Sequence, residues 1–128
     1  MFDRIETLRM ASSLTAHAAE RQKLIAQNVA NADTPGFRAR DLAGFAEAYR
    51  SRVSAEMRGT RPGHLTGANW GGAERVLDDG GEPAPNGNTV SLEEEMIRIA
   101  ETRRDFDVSL AVTRSAMSLI RTSLGRRG

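Results

Sequence analysis

The longest regular pattern of apolar positions lies at the C-terminal end of the chain. Nine positions between 96 and 124 follow one another in steps of three and four, the spacing of a coiled-coil seam, and seven of them are apolar. Ser91 and Glu94 form a capping box before this run, and Gly125 can end the helix after it. This C-terminal row consists of Met96, Ile99, Arg103, Phe106, Leu110, Thr113, Met117, Ile120 and Leu124.

A second apolar row on the same predicted helix widens its apolar surface beyond what one partner helix can cover. It consists of Val108, Val112, Ala116 and Leu119. At 1.5 Å per residue the helix extends about 50 Å, and the shorter N-terminal helix described next can cover only part of that length. The uncovered remainder indicates contacts with other subunits.

The N-terminal end has the same periodicity with smaller side chains. Residues 3 to 30 contain no Gly or Pro and predict one helix, with Asp3 as its cap and Glu6 three positions later. Because several residues of its row are small or polar, the seam is thin and needs close-packed partners. This N-terminal row consists of Leu8, Ala11, Thr15, Ala18, Gln22, Ile25 and Val29.

A turn and a less regular middle region follow. Pro35 and Gly36 stand in the order that a type II turn requires. A shorter helix is predicted from Asp41, as its cap, to Arg58. From 59 to 89 the chain holds eight of its twelve glycines and three of its four prolines, and only Arg75-Val76-Leu77 has strand-like content, with Asp79-Gly80 able to begin a turn. The residues that predict the middle helix are Leu42, Phe45, Tyr49, Val53 and Met57.

These elements predict an all-α protein. Its two long terminal helices pair as an antiparallel coiled coil, and a small, partly irregular middle region lies between them. We divide the chain into residues 1–36, an N-terminal helix and turn; 37–90, a middle helix and Gly/Pro-rich loop; and 91–128, a C-terminal helix. The terminal helices together form one domain.

Composition and charge limit the classes of function. Hydrophobic residues make up 39% and aromatic residues 5% of the chain, so a monomer has little area to bury. The net charge is +1 without a basic block, which is unlike a nucleic-acid-binding surface. The absence of cysteine excludes disulfides and thiolate chemistry. Neither a membrane span nor a cleaved secretory signal is evident, so export would need another route and would leave the N-terminus at or next to Met1.

The polar residues do not form a catalytic constellation. His17 and His64 lie in unrelated contexts, and Glu93, Glu94 and Glu95 occupy a first helical turn, where negative charge favours the helix dipole. No nucleophile, base and orienting group can be placed together, so we expect no enzyme activity, no cofactor and no metal.

The other polar and aromatic residues can be explained without a functional site. Arg103 is either a polar residue that sets the register of a buried seam or a long side chain that extends to solvent, where a local ion pair with Asp107 can satisfy it. The segment 61–64 and the tail Arg126-Arg127 are best explained as solvated surface. Trp70 either anchors a contact with another subunit or folds back on the middle helix.

The segment at the end of the N-terminal helix is similar to a known signature. The run 28–37, Asn-Val-Ala-Asn-Ala-Asp-Thr-Pro-Gly-Phe, resembles the motif of the bacterial flagellar rod and hook proteins. Its Asn-Ala-Asp-Thr-Pro-Gly form, and the run from Gly87 to Met96, resemble the proximal-rod members of that family. Asp105-Phe106-Asp107 departs from the neutral flanks common there. The motif residues are Asn28, Asn31, Thr34, Pro35, Gly36 and Phe37.

The resemblance implies a structural subunit of the flagellar basal body rod. Such a subunit is exported unfolded through the flagellar type III apparatus and joins a helical tube in the periplasm that transmits torque, encloses the export channel and is needed for motility. The implied partners are other rod subunits, the rod-base adaptor protein, and the membrane-embedded ring and export gate, in homo- and hetero-oligomeric contacts without nucleic acid. A soluble helical adaptor or export chaperone is the alternative, and it would fold alone.

The sequence also gives expectations for single positions. In the motif, Asn28 and Asn31 can bond backbone groups at the helix end, and Phe37 supplies an apolar anchor after the turn. The free chain should be largely monomeric with flexible ends, because a thin seam offsets little ordering entropy. Leu110→Asp should damage assembly, whereas Arg98→Asp, outside both apolar rows, should be tolerated better.

Overall fold

The computed structural model describes the backbone of residues 2–56 and 75–125, and side chains at 3–53 and 75–125. The predictions made for Trp70, His64, the segment 61–64 and the tail at 126–127 lie outside these ranges. Five elements follow one another: α1 (Phe2–Ala30), β1 (Arg40–Leu42), α2 (Phe45–Glu56), β2 (Val76–Asp78) and α3 (Leu92–Gly125). The described part of the chain is therefore mainly helical, and the all-α prediction is confirmed.

The two long helices run antiparallel along each other. Arg4 near the start of α1 donates to the Ser123 hydroxyl near the end of α3, and the Thr15 and Ser109 hydroxyls lie 2.8 Å apart midway. At the other end, Asn28 of α1 donates to the Glu95 carboxylate of α3. These three contacts fix the register of the pair along its length.

Small and polar side chains fill the contact between the helices. The buried residues of α3 recur every seven positions, and so do three apolar residues of α1, which is the heptad repeat of paired helices. Little apolar area is buried here, because most of these side chains are no larger than threonine. The buried set is Ala11, Ala18 and Ile25 on α1, with Glu95, Thr102, Ser109 and Ala116 on α3.

The observed contact agrees with the predicted row on most of α1. Leu8, Ala11, Thr15, Ala18 and Ile25 are buried or half-buried as predicted. Near the end of the helix the contact moves by one residue: Gln22 and Val29 are exposed, and the polar residues Arg21 and Asn28 turn inward instead. The predicted row is wrong there because Arg21 and Asn28 bond Glu101 and Glu95 of α3, and these polar contacts turn the helix by one residue.

On α3 the C-terminal row lies one residue after the contact with α1, a rotation of about 100°. Leu110, Thr113 and Ile120 are half-buried along its edge. Its other apolar residues have large exposed fractions: Met96 69%, Ile99 48%, Phe106 41%, Met117 49% and Leu124 68%. Of the second row, Val108 and Leu119 are exposed, Val112 is half-buried and Ala116 is buried. Neither row is fully covered by the residues that the structure describes.

The return segment between α1 and α2 differs from the prediction. A two-stranded antiparallel sheet pairs β1 with β2, with Asp41 opposite Leu77, so the strand expected near residues 75–77 is confirmed. The middle helix begins at Phe45 rather than Asp41 and is described to Glu56. Asp41 does not cap it, because the carboxylate of Asp41 accepts hydrogen bonds from the Leu42 amide and from Arg21.

At the helix starts one predicted cap is confirmed and one is not. The Glu94 amide donates to the Ser91 hydroxyl over 3.5 Å, as the capping box requires of its first half. Asp3 lies inside the first turn of α1 rather than before it, since the helix already includes Phe2.

Enlarging a seam residue tests this close approach of the helices. Ala18 is 2% exposed, so Ala18→Leu should force the helices apart and destabilise the pair, at a cost of ~1–3 kcal/mol for overpacking. Ala19→Leu is the matched control because Ala19 is exposed. Helix content is measured by far-UV circular dichroism in the presence of an osmolyte, which strengthens the burial of apolar groups. It should fall for Ala18→Leu and not for Ala19→Leu. Equal effects would show that the helices do not approach closely at Ala18.

Candidate assembly site: the motif clasp and the open face of the terminal helices

The turn after α1 has the predicted geometry. The Phe37 amide donates to the Thr34 carbonyl over 3.2 Å, which closes a four-residue turn with Pro35 and Gly36 at its centre. Gly36 has a φ of 72°, the left-handed value that the third position of a type II turn requires. Asn31 donates from its side chain to the Gln27 carbonyl in the last helical turn, which also accepts from the Asn31 backbone amide. Phe37 is half-buried just beyond the turn.

Asn28 connects three elements through one side chain. Its amide nitrogen donates to the Arg40 carbonyl at 2.8 Å and to the Glu95 carboxylate at 3.0 Å, and its oxygen accepts from the Arg40 amide at 3.1 Å. The side chain is 1% exposed, so water cannot replace these bonds. The sequence predicts bonds from Asn28 to the backbone, but it does not predict the partner on α3.

Asn88, just before α3, holds the turn from the other side. Its side-chain nitrogen lies 2.8 Å from the carbonyl oxygens of Asn31, Ala32 and Thr34, all of them near the end of α1. Its oxygen accepts from the Val90 amide, so the side chain, 3% exposed, is fully bonded. We name these contacts of Asn28 and Asn88 the motif clasp.

Backbone pairing reinforces the motif clasp. The Gly36 amide donates to the Asn86 carbonyl, and the Thr89 amide donates to the Phe37 carbonyl. The Thr89 hydroxyl accepts from the Ala39 amide at 2.8 Å. The two segments in which the family resemblance was found, near residues 28–37 and 87–96, therefore contact each other in the fold.

A largely half-buried ion cluster lies beside the motif clasp, and Arg98 is its centre. The Arg98 guanidinium bonds Glu95 at 2.7 Å and Asp79 at 2.9 Å, with Asp41 at 3.6 Å. Arg21 of α1 joins through two bonds to Asp41 and one to Glu101. The cluster thus ties α1, β1, the segment after β2 and the start of α3 together.

This cluster overturns two expectations from the sequence. Glu93 and Glu94 are exposed at the start of α3, where a negative charge favours the helix dipole. Glu95 differs from them because it is 1% exposed and bonded to Arg98 and Asn28. Arg98 is not a tolerant position, because Arg98→Asp would place a further carboxylate among the four that surround the guanidinium. Removing one partner of a buried ion pair costs about 3–5 kcal/mol. Because Glu95 and Arg98 are charged, the apolar periodicity of the sequence did not predict that they contact other elements.

The pKa values of two carboxyl groups in the cluster move in opposite directions. For Asp41, burial alone would raise the pKa, but the hydrogen bonds from Arg21 and Leu42 and the charges of Arg21 and Arg98 outweigh it and lower the pKa. For Glu95, burial raises the pKa, and the opposing effects of Arg98 and Asn28 do not cancel it. One oxygen of Glu95 is also buried without a hydrogen-bond partner in the described structure.

His17 secures the segment between β1 and α2. Its Nε2 lies 2.8 Å from the Ala43 carbonyl, and its ring packs edge-on against Phe45 at 5.7 Å between centroids. This is a packing role, and within the described ranges no group of histidine and acidic side chains could hold a metal ion. No described helix is long and apolar enough to cross a bilayer.

Comparison with known proteins gives the family. A model of the flagella basal body rod protein family matches residues 8–38, from early α1 through the turn. The flagellar basal body rod protein FlgB of Agrobacterium fabrum is 32% identical over 120 residues, which cover 87% of each chain. The chain belongs to the family of flagellar basal body rod proteins. FlgB of Salmonella typhimurium is 30% identical, over 91% of this chain and 92% of that protein, and FlgB of Escherichia coli is 29% identical, over 87% and 88%.

Asn88→Asp should open the clasp of this rod protein. A carboxylate cannot donate to the three carbonyls and would repel them, so we expect a loss on the order of 3 kcal/mol from unmet buried groups. Asn86→Asp is the matched control, since the Asn86 side chain only accepts from the Asn88 amide and aspartate can do the same. Swimming in soft agar should be lost for Asn88→Asp and kept for Asn86→Asp; swimming by both would contradict the clasp.

Because the pKa of Glu95 is raised, the stability of the native chain and that of Glu95→Gln should depend differently on pH. A carboxyl whose pKa is raised by folding adds stability at low pH that is lost as pH rises through the folded pKa. The stability of the native chain should therefore fall relative to Glu95→Gln as the pH rises from the ordinary glutamate pKa through the raised pKa of Glu95. Asp41 has the opposite sign, losing its contribution as pH falls through its lowered pKa, but it is common to both proteins. Thermal unfolding of the native chain and of Glu95→Gln at a series of pH values measures the difference.

Proposed function

We propose that this chain is a structural subunit of the proximal rod that self-assembles through its terminal helices into a helical tube. The observation that carries the proposal is the C-terminal row, which remains largely exposed although its heptad spacing is that of a packed helix. Contiguous exposed apolar surface of this kind marks an interaction site rather than a stable monomer surface.

The exposed face and the motif clasp have separate tasks in this proposal. The clasp fixes how α3 is rotated against α1, because Glu95 and Arg98 near its start are held by buried bonds. With that rotation fixed, Phe106 and Met117 point away from α1 and are available to neighbours. In this account the subunit interface includes Met96, Ile99, Phe106, Leu110, Met117, Ile120 and Leu124.

Rod function also accounts for the other described features of the structure without catalysis. The buried charged groups of the described residues are arranged in ion pairs that tie elements together, and such pairs support structure rather than chemistry. The tube would transmit torque, enclose the export channel and be needed for motility. The subunit would reach the periplasm through the flagellar type III apparatus without cleavage, and contact other rod subunits, the rod-base adaptor protein, the membrane-embedded ring and the export gate.

A substitution in the C-terminal row tests the proposed interface. Leu110→Asp should abolish motility, but Leu110 is already half-buried within the chain, so Met117→Asp separates assembly from folding better. Met117 is 49% exposed in the free chain. Burying its carboxylate in an assembly would cost several kcal/mol, whereas an exposed one costs only a few tenths.

Ser118→Asp is the matched control, one residue further along and turned away from the row. In a strain without its own copy, Met117→Asp should be produced and exported but should not support swimming, while Ser118→Asp should swim. Normal swimming by Met117→Asp would show that the row is not an inter-subunit contact. A chaperone or adaptor would instead be found folded and free of basal bodies.

A further inference from the structure

The turn before Asn88 contains the pair Asn86-Gly87, and Asn86 is the only asparagine of the sequence that a glycine follows. In an open chain an Asn-Gly pair is especially prone to deamidation, because glycine has no side chain to hinder attack by its backbone nitrogen on the side chain before it. Asn86 is exposed, so water reaches it. The pair is therefore a chemically reactive point at the edge of the motif clasp.

Deamidation of such a pair passes through a five-membered succinimide ring. The Gly87 backbone nitrogen gives up its proton and attacks the side-chain carbon Cγ of Asn86. The new N–Cγ bond forms, the bond from Cγ to the side-chain nitrogen breaks, and ammonia leaves with the proton. Water then adds to one of the ring carbonyls and opens the ring. The product is either aspartate or isoaspartate, and in isoaspartate the main chain runs through the side-chain carbons and is one atom longer.

The fold holds both reacting groups in hydrogen bonds. The Gly87 amide donates to the Ala84 carbonyl at 2.7 Å, so the hydrogen that must leave is engaged. The Asn86 side-chain oxygen accepts from the Asn88 amide at 3.1 Å. The Asn86 carbonyl accepts from the Gly36 amide at 3.0 Å, which anchors the peptide unit that the ring would include.

Closure of the ring is incompatible with these bonds. It brings the Gly87 nitrogen beside Cγ of Asn86 and so requires a ψ at Asn86 outside the regions that an ordinary residue occupies. That rotation turns the Asn86 carbonyl away from Gly36 and the Gly87 amide away from Ala84. The reaction therefore waits until this part of the motif clasp opens, and its rate follows the population of the open form.

The isoaspartate product does not fit the motif clasp. A Cβ added to Gly87 would lie 3.4 Å from the Gly36 Cα, so the two turns are already in van der Waals contact. An extra main-chain atom at position 86 must displace Asn88 from the three carbonyls that its side chain holds at 2.8 Å. The aspartate product keeps the length of the main chain, and its carboxylate can still accept from the Asn88 amide.

We propose that Asn86-Gly87 is a modification site whose deamidation records an open clasp. Chains with a formed clasp are protected, and chains left open are converted in part to an isoaspartate form that cannot close it. The reaction needs only water as a co-reactant. This inference goes beyond the rod function and does not depend on it, because it rests on contacts within one chain.

The test follows deamidation of the full chain at mildly alkaline pH, in urea and in native buffer with an osmolyte that strengthens folding. Trypsin releases residues 76–98 as one peptide, because no basic residue lies between its ends, and mass spectrometry measures conversion of amide to acid at Asn86. Since opening breaks several hydrogen bonds, the rate in native buffer should be on the order of ten- to a hundredfold below that in urea. Asn88→Asp, which opens the clasp, should react at nearly the same rate in both.

A second measurement tests the product. The native chain is aged in urea, its aspartate and isoaspartate forms are separated, and both are returned to native buffer. The isoaspartate form should unfold at a lower temperature than the aspartate form, which should match freshly prepared Asn86→Asp. Asn86→Gln, aged in the same way, should yield neither form, because its longer side chain closes a ring poorly.

Equal deamidation rates of the native chain in native buffer and in urea would overturn the proposal, because the bonds around Asn86 would then give no protection. An isoaspartate form as stable as Asn86→Asp would overturn it as well. Neither result bears on whether the chain builds a rod, so the two proposals stand or fall separately.

Discussion

The side-chain amide of Asn28 is the constraint on which the rest of the fold depends. It is almost fully buried, and its bonds go to both backbone groups of Arg40 and to Glu95. A buried amide that lost any of these partners would leave an unmet polar group, at about 1–3 kcal/mol each. The end of α1, the first residue of β1 and the first turn of α3 must therefore come together in one arrangement.

That arrangement determines which face of α3 is turned inward. Glu95 lies on the same side of the helix as Thr102, Ser109 and Ala116, so holding Glu95 against Asn28 places the whole heptad of small and polar residues against α1. The larger apolar side chains are then directed outward. The seam thus buries little apolar area inside the chain and leaves the larger apolar side chains exposed, which suits the proposed contacts with neighbouring subunits.

The sequence was informative where local chemistry decides the structure. The two long helices, the type II turn at Pro35 and Gly36, the cap at Ser91 and the strand near Val76 follow from propensity, spacing and turn preferences. Apolar periodicity located the C-terminal row but could not separate a surface buried within the chain from one left exposed, because both have the same spacing.

The parts that the sequence did not reveal depend on contacts between distant residues. Arg98 and Glu95 look like ordinary surface charges until Asp79 and Asn28 are placed beside them. Likewise Asp41 is a residue type that often caps helices. Its strand instead pairs with β2, where Asp41 lies opposite Leu77, and its carboxylate forms an ion pair with Arg21, so it does not cap the middle helix. Contacts between residues that are far apart in the sequence produce no periodic pattern from which they could be predicted.

Oxidation of the methionines in the C-terminal row tests the central claim, that assembly covers this face, most directly. Met96 and Met117 are 69% and 49% exposed in the chain. A brief exposure to peroxide followed by mass spectrometry reports how accessible each sulfur is, since exposed methionine is readily converted to the sulfoxide. The account predicts rapid oxidation of both in the free chain and strong protection in isolated basal bodies. Equal oxidation rates in the two states would contradict it.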